Sequence, residues 1–193
     1  EALAGIGLVV SVDTVRAKVA AAALGAGARL VNDVSGGLAD PEILSVVAER
    51  SATYILQHWQ TPFDHRSAHV DVVREVVAEL GERVERALAA GVNGERLILD
   101  PGIGFGKTAA QNWALIANQQ ALAALGYRLL WGFSRKRFLA EVDGGVEPWE
   151  RDDASAALTA LVAREGAWAV RVHTIGVHKT AIRVAHAVRA NQG

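Results

Sequence analysis

The sequence predicts an α/β fold of the (β/α)8 TIM-barrel type, present as about six consecutive strand-helix units, that is, as an incomplete barrel. Apolar segments alternate with helical patterns six times along the 193 residues. The strand segments are apolar throughout, which is typical of a parallel sheet buried on both faces. Polar residues end nearly every strand, and a barrel gathers such ends at one mouth, whereas an open doubly wound sheet uses mainly one crevice.

The first unit illustrates the pattern. Residues 7 to 13 are apolar and β-branched and end in an acid, which predicts a buried strand. Residues 14 to 27 have a helical period, with Thr14 as the expected N-cap and Gly25 or Gly27 as the stop. The residues before this strand have the pattern expected at the C-terminal end of a helix. Because a complete barrel has about 250 residues and eight units, we expect the first two units to be absent from this chain.

Five further units repeat this arrangement. A polar loop containing Pro62 follows the third strand, and the helix after the fourth strand is expected to be broken into pieces. The predicted strands span residues 28 to 34, 52 to 59, 97 to 100, 127 to 134 and 167 to 174. The helices span about 41 to 50, 70 to 90, 112 to 125, 135 to 142 with 152 to 166, and 177 to 190.

Composition narrows the class of protein. Hydrophobic residues make up 51%, and 20 basic residues nearly balance 21 acidic ones, which gives no reason to expect nucleic acid or an anionic membrane surface as a partner. The absence of cysteine excludes disulfides and thiolate metal sites. No apolar run approaches the roughly 18 residues of a membrane span, and no basic leader is present. We therefore expect a soluble, cytoplasmic protein with one domain over residues 1–193.

The segment LILDPGIGFGKT, residues 97 to 108, carries the clearest chemical signal. Apolar residues run into Asp100, and Pro101 then ends the strand. The three glycines that follow leave the backbone open to a flat ligand, with Lys107 supplying a positive charge nearby. An Asp-Pro-Gly sequence also occurs as a simple turn, so this segment alone does not define a site.

Asp13, Asn32 and Asp100 end three different strands. Each of them alone is as well explained by helix capping or turn formation. Together they form a set of acceptors, with one amide that also donates, suited to a heterocycle that offers a row of N–H donors, such as an aminopyrimidinone.

Basic residues follow the fifth strand. GFSRKRF, residues 132 to 138, places Ser134, Arg135 and Lys136 where a strand gives way to a helix. A solvated helix end is one explanation, but cations at that position oppose the helix dipole. The unfavourable placement therefore favours a bound carboxylate or phosphate.

Two further groups end the last strand. Arg171 and His173 are two residues apart, so on a strand they would point the same way and could bind an anion together. His58, beside Trp59 at the end of the third strand, is more simply a buried histidine with satisfied hydrogen bonds.

The segments VSVDTVRAKVA, LVNDVSGG, LDPGIGFGKT, GFSRKRF and RVH, in this order and at these spacings, closely resemble the dihydropteroate synthases. These folate-biosynthesis transferases are the target of sulfonamides, and the likeness covers essentially the whole chain. The resemblance implies a pterin-binding barrel that joins 6-hydroxymethyl-7,8-dihydropterin diphosphate to 4-aminobenzoate and releases diphosphate, with Mg²⁺ present. It also implies small-molecule substrates and a homodimer.

The resemblance assigns roles to nine residues. It implies catalytic roles for Asp13, Asp100, Lys136, Arg171 and His173, and places the pterin at Asp13, Asn32, Asp100, Gly104, Lys136 and Arg171. Diphosphate is expected at Arg171 and His173, and aminobenzoate at Phe105 and Ser134. No metal ligand is expected in this chain, because the family's usual protein ligand for Mg²⁺ lies in the absent N-terminal part.

Two residues depart from the family pattern. Gln57 stands where the family usually has an apolar residue contacting the pterin, and Thr174 where an Asp is usual. These departures and the absent units lead us to expect impaired activity from the chain alone. A pterin-binding methyltransferase domain and a non-catalytic pterin-binding paralogue remain as alternatives. The SRK and RVH motifs speak against the methyltransferase, because a methyl carrier has no diphosphate to hold.

Overall fold

Six parallel strands form one sheet in which each strand pairs with the next one along the chain. The computed structural model describes residues 1 to 59 and 71 to 191. The strands are β1 (Ser11–Asp13), β2 (Leu30–Asp33), β3 (Thr53–Gln57), β4 (Leu97–Asp100), β5 (Arg128–Trp131) and β6 (Ala169–Val170). This sequential order confirms the predicted incomplete barrel.

Helices follow the strands and cover the outer face of the sheet. They are α1 (Ala2–Gly5), α2 (Ala17–Gly25), α3 (Glu42–Glu49), α4 (Val72–Ala89), α5 (Ala109–Ala117), α6 (Gln119–Ala123), α7 (Ala140–Asp143), α8 (Asp152–Arg164) and α9 (Ile175–Ala190), with short 3₁₀ turns at Gly94–Arg96, Arg137–Leu139 and Pro148–Arg151. The predicted break after β4 is confirmed by α5 and α6. The predicted loop around Pro62 lies outside the described residues. Within the described ranges, no helix is both long and apolar enough to cross a membrane.

Alternate residues of each strand face two different cores. The outward residues, which include Tyr54, Leu99 and Trp131, pack against the helices in the larger core. The inward residues Ile55 and Ile98 pack with Leu130 in a smaller cluster inside the curl of the sheet. Full burial of such a side chain contributes about 1.5 to 3 kcal/mol. Two buried faces explain why the strands are apolar at consecutive positions.

The first and last strands are shorter than their apolar patterns predict. Backbone pairing of β1 with its neighbour begins at Val10, whose carbonyl accepts from Arg29 N and Leu30 N. Leu8 and Val9, which the pattern assigned to the strand, are 53% and 66% exposed. A strand extends only as far as a neighbour supplies hydrogen bonds, and β1 and β6 are the two edge strands of the described sheet.

The N-terminus of α2 is capped from another part of the chain. Thr14 was the expected cap, but the helix begins at Ala17, and the Thr14 hydroxyl accepts instead from Arg16 N at 3.1 Å. Asp40, from the loop before α3, accepts from Ala17 N at 2.7 Å. A carboxylate at this position also interacts favourably with the helix dipole. Gly27, with φ of 97°, follows the end of the helix.

A buried carboxylate organises the loop after β2. Asp33 accepts four hydrogen bonds, from Ser35 N at 2.8 Å, Ser35 Oγ at 2.7 Å, Gly37 N at 2.8 Å and Tyr54 Oη at 2.7 Å. Burial, together with the negative charge of Asp33, raises the pKa of Tyr54 well above its usual value, so the phenol stays protonated and donates. Asp33 therefore holds its loop to β3.

We predict that Asp33→Ala lowers the free energy of unfolding by about 3 to 5 kcal/mol, because several buried donors lose their acceptor together. Tyr54→Phe removes only one of these donors and should cost about 1 to 2 kcal/mol. Urea denaturation of the two variants and the parent measures both values. An Asp33→Ala variant within 1 kcal/mol of the parent would show that the loop does not depend on this carboxylate.

Candidate active site

Residues at the C-terminal ends of the strands, or directly after them, form a single layer, called here the inward layer. Strand pairing sets Asp13 beside Asn32 and Gln57 beside Asp100. Asn32, Gln57 and Asp100 each lie two positions beyond a residue of the smaller cluster inside the curl, so they share its face. Asp13 shares that face as the register partner of Asn32. The layer consists of Asp13, Asn32, Gln57, Asp100, Gly132 and Arg171.

A chain of hydrogen bonds crosses the inward layer. Asn32 Nδ2 donates to Asp13 Oδ2 at 3.0 Å. Arg171 donates to Asn32 Oδ1 at 2.5 Å and to Asp100 Oδ2 at 2.9 Å. Arg171 follows β6 and Asn32 lies on β2, so the sheet must curl for these side chains to meet. The three residues expected to hold a heterocycle therefore lie together, with Asn32 joined to Asp13 directly and to Asp100 through Arg171.

Asp100 is a buried carboxylate paired with a partly exposed cation. Its side chain is 2% exposed, whereas that of Arg171 is 40% exposed. The second oxygen of Asp100, Oδ1, accepts from Gly102 N at 2.8 Å. A Cβ atom on Gly132 would lie 2.7 Å from Arg171 NH1. Glycine at position 132 leaves room for the guanidinium in this position, and a larger residue would require it to shift.

Lys136 lies against the glycine-rich turn after β4. Its ammonium donates to the carbonyl of Ile103 and lies 4.3 Å from the centre of the Phe105 ring. A Cβ atom on Gly104, where φ is 76°, would lie 2.6 Å from Lys136 Cδ. Burial lowers the pKa of Lys136 to about 8, with the carboxylate of Asp100 opposing that shift. Lys136, Gly104 and Phe105 thus form one wall beside Asp100.

Ser134 and His173 form a second polar group. The Ser134 hydroxyl lies 3.0 Å from His173 Nδ1 and accepts from His173 N at 3.3 Å. The expectation that Arg171 and His173 are aligned by a strand was wrong, because β6 ends at Val170. The two side chains have different partners. The loop after β6 positions them, not strand periodicity.

Arg135 belongs to the scaffold. Its guanidinium forms a two-point ion pair with Asp152 at 2.7 and 2.8 Å and also donates to Thr174 Oγ1 at 2.9 Å. Thr174 Oγ1 in turn donates to Asp152 Oδ2 at 2.7 Å. Thr174, one of the departures from the family pattern, therefore connects the loop after β6 to α8. The helical segment after Ser134 is a 3₁₀ turn that starts only at Arg137.

A buried network of His58, Lys107 and Glu79 lies against the glycine-rich turn, and the sequence predicted only part of it. His58 is fully buried, with Nε2 3.0 Å from Glu79 Oε2 and Nδ1 3.0 Å from Lys107 Nζ. Lys107 also donates to the carbonyls of Gly102 at 3.0 Å and Phe105 at 3.3 Å. The structure thus supports the simpler interpretation of His58. The sequence indicated a positive charge at Lys107 beside the turn. It could not indicate the contact of Lys107 with His58, because that contact depends on the fold.

The protonation states of this network follow from its burial. Burial lowers the pKa of His58 to about 4, helped by the positive charges of Lys107 and Arg83 and opposed by Glu79. Burial likewise lowers the pKa of Lys107 to about 7. A neutral His58 that donates from Nε2 to Glu79 leaves Nδ1 free to accept from Lys107. The ammonium then holds the glycine-rich turn through two carbonyls.

The lowered pKa of His58 predicts a specific dependence of stability on pH. Between about pH 6.5 and 4 the unfolded chain takes up a proton at this histidine and the folded chain does not, so stability falls as pH falls through this window. His58→Gln should remove on the order of 3 kcal/mol of that loss. The measurement is urea denaturation at pH 7 and pH 4, with His186→Gln as an exposed control. Equal pH dependence in His58→Gln and the parent would contradict the prediction.

The curled parallel sheet thus carries carboxylates and an amide in one layer at its C-terminal mouth, the arrangement expected of the pterin-binding barrel enzymes. The model of that family, described as pterin binding enzyme, matches residues 1–173. The chain belongs to the dihydropteroate synthases within this class, as the sequence motifs indicated.

One relative in sequence and two solved structures of another illustrate this membership. The dihydropteroate synthase of Mycobacterium leprae (strain TN) is 47% identical over 191 residues, covering 94% of this chain and 67% of the relative. The structure of the Xanthomonas albilineans enzyme with 4-aminobenzoic acid has a TM-score of 0.90 at 39% identity, covering 98% of this chain and 68% of that one. Its complex with 7,8-dihydropteroate has a TM-score of 0.87 at 40% identity, covering 95% and 68%. This chain thus spans about two thirds of the length of each.

Proposed function

We propose that this chain acts as a transferase of folate biosynthesis, joining 6-hydroxymethyl-7,8-dihydropterin diphosphate to 4-aminobenzoate with release of diphosphate. The observation that supports this most directly is the inward layer, in which Asn32 donates to Asp13 and Arg171 joins Asn32 to Asp100. Relatives named dihydropteroate synthase, and solved structures of such enzymes with 4-aminobenzoic acid and 7,8-dihydropteroate, support the same activity.

The pterin would replace the guanidinium of Arg171 in the inward layer. An aminopyrimidinone edge and a guanidinium are both planar and both present several N–H donors. Arg171 now presents such donors to Asn32 and Asp100. When the pterin takes these acceptors, Arg171 is released to cover the ring and to bind diphosphate. One side chain therefore serves two successive purposes.

The proposed chemistry follows from the charges around the layer. The bond between the pterin methylene carbon and the diphosphate oxygen breaks, leaving positive charge on the methylene group. The carboxylates of Asp13 and Asp100 stabilise that charge, while Arg171 and His173 stabilise the departing anion. The amine of 4-aminobenzoate, bound at Phe105 and Ser134 beside Lys136, then forms the new C–N bond and loses a proton.

The expected magnesium ion has no evident protein site in the described part of the chain. Within residues 1 to 59 and 71 to 191, no group of three or more His, Asp or Glu side chains is placed to hold a metal ion. Asp100 is already engaged by Arg171 and Gly102. We therefore assign no step to Mg²⁺.

A homodimer and a cytoplasmic location stay predictions. In support of the homodimer, helix α9 exposes apolar side chains that a second copy could cover. These are Ile175, Val177, Val184 and Val188. Reduced activity of the isolated chain also stays a prediction.

The two alternative functions have less support. The relatives and structures described above are named as synthases, not as methyltransferases or inactive paralogues. The pairing of Ser134 with His173 suits an anion such as diphosphate, which a methyl carrier does not have.

We predict that Asp100→Asn weakens binding of 6-hydroxymethylpterin by about 1.5 to 3 kcal/mol, because a desolvated, charge-assisted hydrogen bond is lost. Isothermal titration calorimetry measures the change, with Asp153→Asn as an exposed control on α8. In parallel, labelled 4-aminobenzoate and the pterin diphosphate test for formation of dihydropteroate. Parent-like affinity in Asp100→Asn would refute the assignment of this carboxylate.

Arg171→Met separates the two purposes assigned to Arg171. Because the arginine must leave its acceptors before the pterin binds, its removal should change the affinity for 6-hydroxymethylpterin by less than about tenfold. Diphosphate affinity should fall by about tenfold or more, since a charge-assisted contact is lost. Isothermal titration calorimetry with each ligand measures the two affinities, and Arg183→Met serves as an exposed control. Diphosphate affinity equal to that of the parent would remove Arg171 from the anion site.

A further inference from the structure

Gln57 is a buried polar residue in the middle of the inward layer. It is the last residue of β3, lies beside Asp100 in the strand register and is 1% exposed. Neither Oε1 nor Nε2 of its side chain has a hydrogen-bond partner among the described residues. A complete amide, with two donors and two acceptor positions, is therefore left unpaired in the site.

The neighbouring polar groups are already engaged with other partners. Asp100 accepts from Gly102 N and Arg171, and the side chain of Asn32 bonds to Asp13 and Arg171. An unpaired buried amide costs stability, whereas an apolar residue of the same size would not carry this cost. The cost is understandable if a ligand supplies the missing partners.

We propose that Gln57 is a specificity-determining residue that hydrogen-bonds the bound pterin through its side-chain amide. The inference rests on the proposed function and adds a contact that the family's apolar residue at this position cannot make. A pyrimidinone ring carries N–H donors and carbonyl or ring-nitrogen acceptors side by side. A primary amide complements such a donor-acceptor pair, and it can rotate by 180° to match either order.

Specificity follows from the unpaired state. A ligand with a donor-acceptor edge relieves the cost of the buried amide, whereas a plain aromatic ring of the same size leaves it unpaired. Sites built to hydrogen-bond a polar group reject analogues that lack it. Gln57 therefore recognises the polar edge of the pterin by hydrogen bonds, in addition to the recognition by Asp13, Asn32 and Asp100.

Gln57→Met tests the proposal because methionine keeps the length of the side chain and removes its hydrogen bonds. The variant should have a higher melting temperature than the parent, since an unpaired buried amide is gone. It should also bind 6-hydroxymethylpterin about three- to tenfold more weakly, the effect of a lost hydrogen-bond pair. Gln119→Met, at the start of α6 and away from the strand ends, is the matched control and should change neither value.

The outcomes separate this inference from the proposed function. If the parent binds 6-hydroxymethylpterin and Gln57→Met binds it equally well, the role of Gln57 is refuted and the proposed function stands. If the parent does not bind the pterin at all, the proposed function fails and the inference fails with it. Weaker binding together with a higher melting temperature supports both, because damage to the fold would lower the melting temperature.

A second measurement uses the unmodified chain and keeps the test decisive if Gln57→Met does not fold. In a ¹⁵N-glutamine-labelled sample, the side-chain NH₂ signals of Gln57 should shift and exchange more slowly with solvent when 6-hydroxymethylpterin is added. The signals of Gln119 should not respond. Unchanged Gln57 signals in the presence of saturating pterin would overturn the proposal.

Discussion

The alternation of side chains along each strand divides the polar residues at the strand ends into two groups. Asn32 faces inward and Asp33 outward, and the same holds for Gln57 and His58. The outward members have their hydrogen bonds satisfied by neighbouring loops and helices. The inward members meet across the curled sheet at its mouth, where Asn32 bonds to Asp13 and Arg171 and the side chain of Gln57 has no partner among the described residues. A shift of one residue in register would exchange the two groups.

Burial sets the electrostatic character of the site. Asp100 is desolvated but paired with Arg171, so a cation compensates its charge before any substrate arrives. Lys136 and Lys107 flank the glycine-rich turn, and burial lowers the pKa of both amines. The turn is thus held from both sides by amines that donate to its carbonyls. This arrangement fixes the wall that the turn forms beside Asp100.

Much of the architecture could be predicted from local patterns. The apolar strands, the glycine-rich turn and the polar strand ends are properties of short segments, and they indicated both the barrel and the layer containing Asp13, Asn32 and Asp100. The lengths of β1 and β6 could not be predicted, because a strand exists only where a neighbour pairs with it. The cap of α2 by Asp40 and the contact of Lys107 with His58 join distant parts of the chain.

The sequence by itself determined the order of strands and helices, the family motifs and the residue types at each strand end, because these depend on periodicity and local turn chemistry. Tertiary structure alone decided which of those residues have partners for their hydrogen-bonding groups and which do not. Arg135 forms an ion pair with Asp152, whereas the buried amide of Gln57 has no partner in the described part of the chain. The physical reason is that hydrogen-bond satisfaction depends on neighbours brought together by the curl of the sheet, and sequence separation carries no record of that proximity.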